Sequence, residues 1–216
     1  MIRNRTHRRD EIITTIRKRI SEINERYRTG PDLYFYRRLM KLREVSNNVE
    51  SFLRDDYHIE ILYATLVSWD MNSRRAKMKY FDEFKDDILS CLDLFKKIEN
   101  LERSSDIDIN ELKSILRETY KSLNLMKTGG RLVSNSKLLH FLFPNLLMPM
   151  DRTNTLSYFY GNMGESSNKY IEIIEFSLEI INMPEKWENY LDDRWNSTVP
   201  KMIDNAIILL MRRSIR

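Results

Sequence analysis

RRDEIITTIRKRISEINERYR, residues 8–28, sets Ile12, Ile16, Ile20, Ile23 and Tyr27 at steps of 4, 4, 3 and 4. That spacing lays one apolar stripe along a turn of about 3.6 residues and predicts a helix from Arg8 to Arg28. Gly30-Pro31 punctuates, with glycine just past one helix and proline in the first turn of the next, whose Leu33, Tyr36, Met40 and Val45 point inward. The two helices are expected to pair as an antiparallel hairpin. The same period recurs downstream. Tyr57 to Trp69 is apolar on most sides, as a buried central helix is, and Phe81 to Leu101 repeats Phe84, Ile88, Cys91, Leu92, Phe95 and Ile98 at helical steps. Asp108 or Asn110 caps a helix from Glu111 to Met126, and Pro144 stops another that runs from about Asn135 to Phe143. Further helices are expected from about Asp151 to Tyr160, from Ser166 or Ser167 to Asn182, from Pro184 to Leu191 and from Val199 to Arg213.

Five glycines and five prolines in 216 residues leave little material for sharp turns, which weighs against a β-sandwich or a glycine-rich nucleotide fold. The expected architecture is all-α, a compact bundle of about nine helices in one domain over residues 1–216. It divides, if at all, into a basic helical hairpin at 1–47 and a core lobe at 48–216, with a helix-hairpin-helix-like substructure conceivable near 111–160. The single cysteine, Cys91, cannot form an internal disulfide and suits a reducing compartment, the cytoplasm being the default. The N-terminus is basic without an apolar signal-peptide core. The apolar run Ala206 to Met211 is far short of the roughly 20 residues that span a bilayer, so no membrane partner is expected.

The net charge is +4, but it is unevenly placed: residues 1–43 hold 13 Lys and Arg against 5 Asp and Glu, and the remainder holds 23 against 27. A basic N-terminal stripe with Tyr34, Phe35 and Tyr36 beside Arg37 and Arg38 points to nucleic acid, DNA in the first place, with arginines on phosphates and rings on bases. The alternative is that these charges are solvated or pair with the acidic remainder of the chain.

The densest polar cluster lies in RLVSNSKLLHFLFPNLLMPMDRTNTLSYFYG, residues 131–161. Asn135, Ser136, Lys137 and His140 lead one helix, and Asp151, Arg152 and Asn154 lead the next. Two helix N-termini, each with unpaired N–H groups and the positive end of a dipole, suit a phosphate or another anion, and Lys137 and Arg152 add charge. Each residue also has a plainer reading: Asp151 as a cap, Lys137 as a surface lysine, His140 as a core histidine and Trp69 as a core anchor.

This stretch, with Tyr63-Ala-Thr-Leu-Val-Ser-Trp-Asp-Met71 before it, resembles a family of uncharacterised prokaryotic proteins with a pattern close to LVxNSKxLHxLxPxLxPPxDRxYTLxFF. The resemblance covers about half of the chain and implies no activity. It departs at Met150, at Asn154 and at Asp70, where a small residue is usual. Pro149-Met-Asp151-Arg-Thr-Asn-Thr also resembles, more weakly, the helix-hairpin-helix DNA glycosylases. That likeness implies Asp151 as the catalytic carboxylate and Lys137 as amine or phosphate ligand, acting on a flipped base. It places the hairpin near Val133 and Ser134 and the lyase lysine at Ser136, one residue before Lys137.

Two functions from different classes are therefore carried forward. One is a nucleic-acid-binding helical module using the basic hairpin and the helix starts at 135–137 and 151–152. The other is an enzyme, glycosylase-like or acting on a small anion, whose site holds Trp69, Lys137, His140 and Asp151. No P-loop, dinucleotide or hydrolase motif occurs, His7, His58 and His140 do not form a zinc set with one cysteine, and neither metal nor cofactor is expected.

Overall fold

The computed structural model describes residues 1–27, 29–71 and 77–213. Among the described residues it holds 12 α-helices and no strand; Met78 and Met126 form an isolated antiparallel bridge. The first predicted helix is two: α1 (Arg5–Arg19) and α2 (Glu22–Arg26). Its expected end at Arg28 lies outside the described residues. The stripe itself is kept, since Ile12, Ile16, Ile20 and Ile23 are all buried across the break. α3 (Pro31–Val45) opens with Pro31 after an extended Gly30 and buries Leu33, Tyr36 and Leu39. Val45, expected inside, is 69% exposed, and Arg43 is buried in its place.

The expected hairpin of the first two long helices does not form. α1 packs on two helices near the C-terminus, α11 (Ser167–Ile181) and α12 (Val199–Arg213), whereas α3 packs on α5 (Asp56–Leu66) and α9 (Leu132–Leu142). The physical reason is that α1 needs an apolar partner along its whole stripe. α12 offers one in Met202, Ile203, Ala206, Ile207 and Leu209, all buried.

Asn48 and Ser51 form a capping box for the short α4 (Val49–Leu53), and Asp55 caps α5. α5 is the buried central helix that its composition predicts, with Ile59, Leu62, Thr65 and Leu66 inside. The expected helix 81–101 breaks at Cys91 into α6 (Phe81–Ser90) and α7 (Leu92–Arg103). Cys91 stays in the core, where burial pushes its thiol up.

Asp108 caps α8 (Ile109–Ser122) by accepting from the amides of Asn110 and Glu111. α8 stops four residues early because Leu125 and Lys127 turn to backbone pairing with Lys79 and Lys77. α9 starts three residues earlier than expected. After it a hydrogen-bonded turn at 143–147 and an irregular segment lead to a π-helical turn, Arg152–Leu156, and a one-turn helix, α10 (Ser157–Tyr160), which Gly161 ends at φ 67°. Ser166 caps α11 as predicted, and the expected helix 184–191 is a 3-10 turn, Trp187–Tyr190. Val133 and Ser134 lie inside the first turn of α9, so the hairpin that the glycosylase likeness implies is not at those positions. One hydrophobic cluster runs from Ile2 to Leu209. No helix among the described residues is long and apolar enough to cross a membrane.

Candidate functional site

A second π-helical turn, Val67–Met71, ends α5. Trp69 (φ −93°, ψ 33°) and Asp70 (φ 63°, ψ 20°) leave helical geometry there, and such turns release backbone groups from the helical ladder. The freed carbonyl of Trp69 accepts from Lys137 Nζ at 2.6 Å. Asp70 occupies the left-handed region in which L side chains are strained and glycine is not. Asp70→Gly is therefore expected to raise stability by about 0.5–1 kcal/mol, read as a higher urea midpoint. A lower midpoint would mean that the aspartate side chain itself holds the turn.

This turn, the start of α9, residues 149–153 and the inner face of α12 enclose a cavity of about 820 Å³. That is within the roughly 300–1,000 Å³ usual for small-molecule sites. Trp69 lines it, with its ring 5.1 Å from that of Tyr36 and 4.9 Å from that of Phe141, centroid to centroid. Lys137 Nζ lies 5.7 Å from the Trp69 ring centroid and Lys201 Nζ 5.1 Å. Two ammonium groups thus share one indole.

Their surroundings differ. Lys201 forms a buried ion pair with Asp204 at 2.7 Å and donates to Asn205 at 2.8 Å. Lys137 has the Trp69 carbonyl and no ion pair among the described residues. Burial lowers its amine to about 8, against the pull of Asp151, Asp204 and Asp70 and with the added push of Lys201.

The cavity brings together Trp69, Lys137, Asp151 and Arg152 from the predicted set. Asp151 fills both readings at once: its carboxylate accepts from the amide and the side-chain nitrogen of Asn154, as a cap does, and the residue lines the cavity. Arg152 is bound to Glu165. The other oxygen of Glu165 accepts from Arg131 N at 2.9 Å and Leu132 N at 3.1 Å. The start of α9, expected to receive an external anion, is filled by a carboxylate of the chain itself.

Asn135, Ser136 and His140 do not line the cavity, because each bonds backbone. Asn135 donates to Leu123 O, and Ser136 donates to Val133 O and accepts from Met150 N. They fasten the segments on either side of α9. His140, one turn past Lys137, faces the core between Leu147 O (2.8 Å from Nδ1) and the Tyr36 hydroxyl (3.0 Å from Nε2). Tyr36 in turn meets Ser197 Oγ at 2.7 Å. Burial pushes the imidazole down to about 3, so it is neutral, with Nδ1–H donating to the carbonyl and Nε2 accepting from Tyr36.

Lys201, Asp204, Asn205 and Trp195 also line the cavity. Their sequence signal is faint but present: in VPKMIDNAIILLM the polar residues fall at i, i+3 and i+4, on one face of an otherwise apolar helix. A buried polar face on a core helix needs partners, and these three residues partner one another. Among the described residues no group of three or more His, Cys, Asp or Glu is placed to hold a metal ion.

Fold and site together define an all-helical protein with a cavity open to solvent, lined by two lysines, two tryptophans and several carboxylates. Comparison of the chain with protein-family models, curated proteins and solved structures finds no match in any of the three.

Proposed function

We propose that this chain acts on a small polar molecule taken into the 820 Å³ cavity, with the Lys137 amine as the reacting group. The observation that carries this reading is a half-buried lysine on the cavity wall, bonded to one backbone carbonyl and outside any ion pair among the described residues. An amine that is half neutral near pH 8 can accept a proton or add to an electrophilic carbon, which an ordinary lysine does poorly at neutral pH. Asp151 beside it supplies a carboxylate for a cationic centre, the pairing that the glycosylase likeness implies.

The nucleic-acid reading has less support. Four arginines of the basic N-terminal segment bond acids elsewhere: Arg5 to Glu179, Arg17 to Glu185, Arg37 to Asp193 and Arg43 to Glu99. This favours the pairing alternative for the excess charge. Of the three neighbouring rings only Tyr34 is exposed, at 65%, and it packs edge-on against the half-buried Phe35, while Tyr36 is fully buried.

The test is trace acetylation of the native chain with acetic anhydride from pH 6 to 11, each lysine followed by mass spectrometry. Lys137 is expected to reach half-maximal reactivity near pH 8, against about 10.4 for the amines of lysine in unstructured peptides. A midpoint for Lys137 at that ordinary value overturns the proposal.

A further inference from the structure

We propose that the ion pair of Arg152 and Glu165 on the cavity wall is an anion subsite filled by the chain's own carboxylate, and that the small molecule taken into the cavity carries a carboxylate or phosphate end that displaces Glu165 there. The proposal rests on the reading of the cavity as a small-molecule site and names the class of molecule it takes.

Three segments build the subsite. One Glu165 oxygen accepts from Arg152 Nε at 2.5 Å, and the other accepts from Arg131 N at 2.9 Å and Leu132 N at 3.1 Å. Gly130 completes it, because a Cβ there would collide with Arg152 Nη2 and stand 3.4 Å from Glu165 Oε2. A guanidinium and two backbone amides gathered around two oxygens is the arrangement that takes carboxylates and phosphates from solution. Gly130, Arg152 and Glu165 all line the cavity.

Capping alone does not call for this arrangement. α4, α5, α8 and α11 each take a side-chain cap from the residue just before them: Asn48, Asp55, Asp108 and Ser166. α9 has Arg131 in that place, without a side-chain cap bond, and draws its acceptor from 33 residues away across the cavity wall. The side chain of Arg152 is 51% exposed against 12% for Glu165, so an entering anion reaches the guanidinium before Glu165 leaves it. Glu165 stands on the irregular connection between α10 and α11, and its side chain can swing out while both helices stay in place. The exchange puts one anion in place of another, so neither the guanidinium nor the amides are stranded. Leu132 and Lys137 are five residues apart on α9, a rise of about 7–8 Å, which a small molecule held by its anionic end covers.

The experiment is isothermal titration of acetate and of inorganic phosphate, at constant ionic strength, into the native chain, Glu165→Ala, and Glu165→Ala combined with Arg152→Ala. Glu165→Ala is expected to bind at least one of the two anions about tenfold or more tightly than the native chain does, because the tethered competitor is gone. Adding Arg152→Ala is expected to abolish that gain. The tighter of the two anions tells a carboxylate from a phosphate end. Should alanine at 165 unfold the chain, Glu165→Gln keeps an oxygen for the α9 amides and removes the charge, and a gain is again expected. A folded Glu165→Ala chain, or failing that a folded Glu165→Gln chain, that binds neither anion more tightly than the native chain overturns the proposal, as does a gain that survives Arg152→Ala. An ordinary acetylation midpoint for Lys137 instead overturns the reading of that lysine as the reacting amine, and the titration reads the subsite separately from it.

Discussion

Glu99→Ala is expected to destabilise the protein by about 3–5 kcal/mol, the usual consequence of stranding one member of a buried ion pair. Glu99 Oε1 receives Arg43 Nη2 at 2.5 Å, Val49 N at 2.9 Å and Arg103 Nη2 at 3.1 Å. Arg43 also donates its Nε to Leu142 O at 2.9 Å. One carboxylate thus joins α3, the start of α4, α7 and the end of α9. Arg43 and Glu99 are 9% and 4% exposed, so the arginine cannot recover its lost partner from water without leaving its place. Equilibrium denaturation by urea measures the loss. The double change Arg43→Met with Glu99→Leu is expected to be much milder, because it removes both charges and leaves apolar surface in an apolar place. A loss below about 1 kcal/mol for the single variant would put this pair among the weak, solvated ones.

The second large effect is on acid stability, through His140. In the folded chain its imidazole stays neutral down to about pH 3, while in the unfolded chain it takes a proton near its ordinary 6.5. Between those values the unfolded state holds one more proton. The contribution of His140 to stability is therefore fully present above about pH 6.5 and is lost as pH falls, on the order of 1 kcal/mol per pH unit. His140→Gln, which cannot take up that proton, is expected to show a flatter loss of stability between pH 6.5 and 4 than the native chain, whatever its stability at pH 7. Equal slopes for the two would show that His140 is protonated inside the fold, against its bonding to Leu147 and Tyr36.

Much of this fold is legible in the chain because it is local. The isoleucine stripe, the Gly30-Pro31 junction, and the caps Asp108 and Ser166 act within a few residues of themselves, and each stands where its chemistry demands. Breaks inside helices are less visible. Nothing in the periodicity around Cys91 or Ile20 marks an interruption, since the apolar stripe continues through both.

The site is legible in part for the same reason. Trp69, Asp151 and Arg152 stand out as polar or aromatic residues at helix ends, and Lys137 as a charged residue within an apolar helix. His140 stands out equally and yet faces the core. Lys137 and His140 are separated by three residues, which near a helix boundary is compatible with either a shared or a divided environment.

By itself the sequence determined an all-helical chain, because its apolar period and its caps are properties of neighbouring residues. It left open whether the excess of arginine near the start meets an anionic partner or acids further along the chain. Only the tertiary structure decided the partners: which acid meets which arginine, that α1 lies on α12 and not on α3, and that Glu165 occupies the start of α9. It also decided that Lys201, far along the chain from Lys137, lies over the same tryptophan. Those are long-range choices, set by the burial and charge balance of the whole molecule, and no local spacing encodes them.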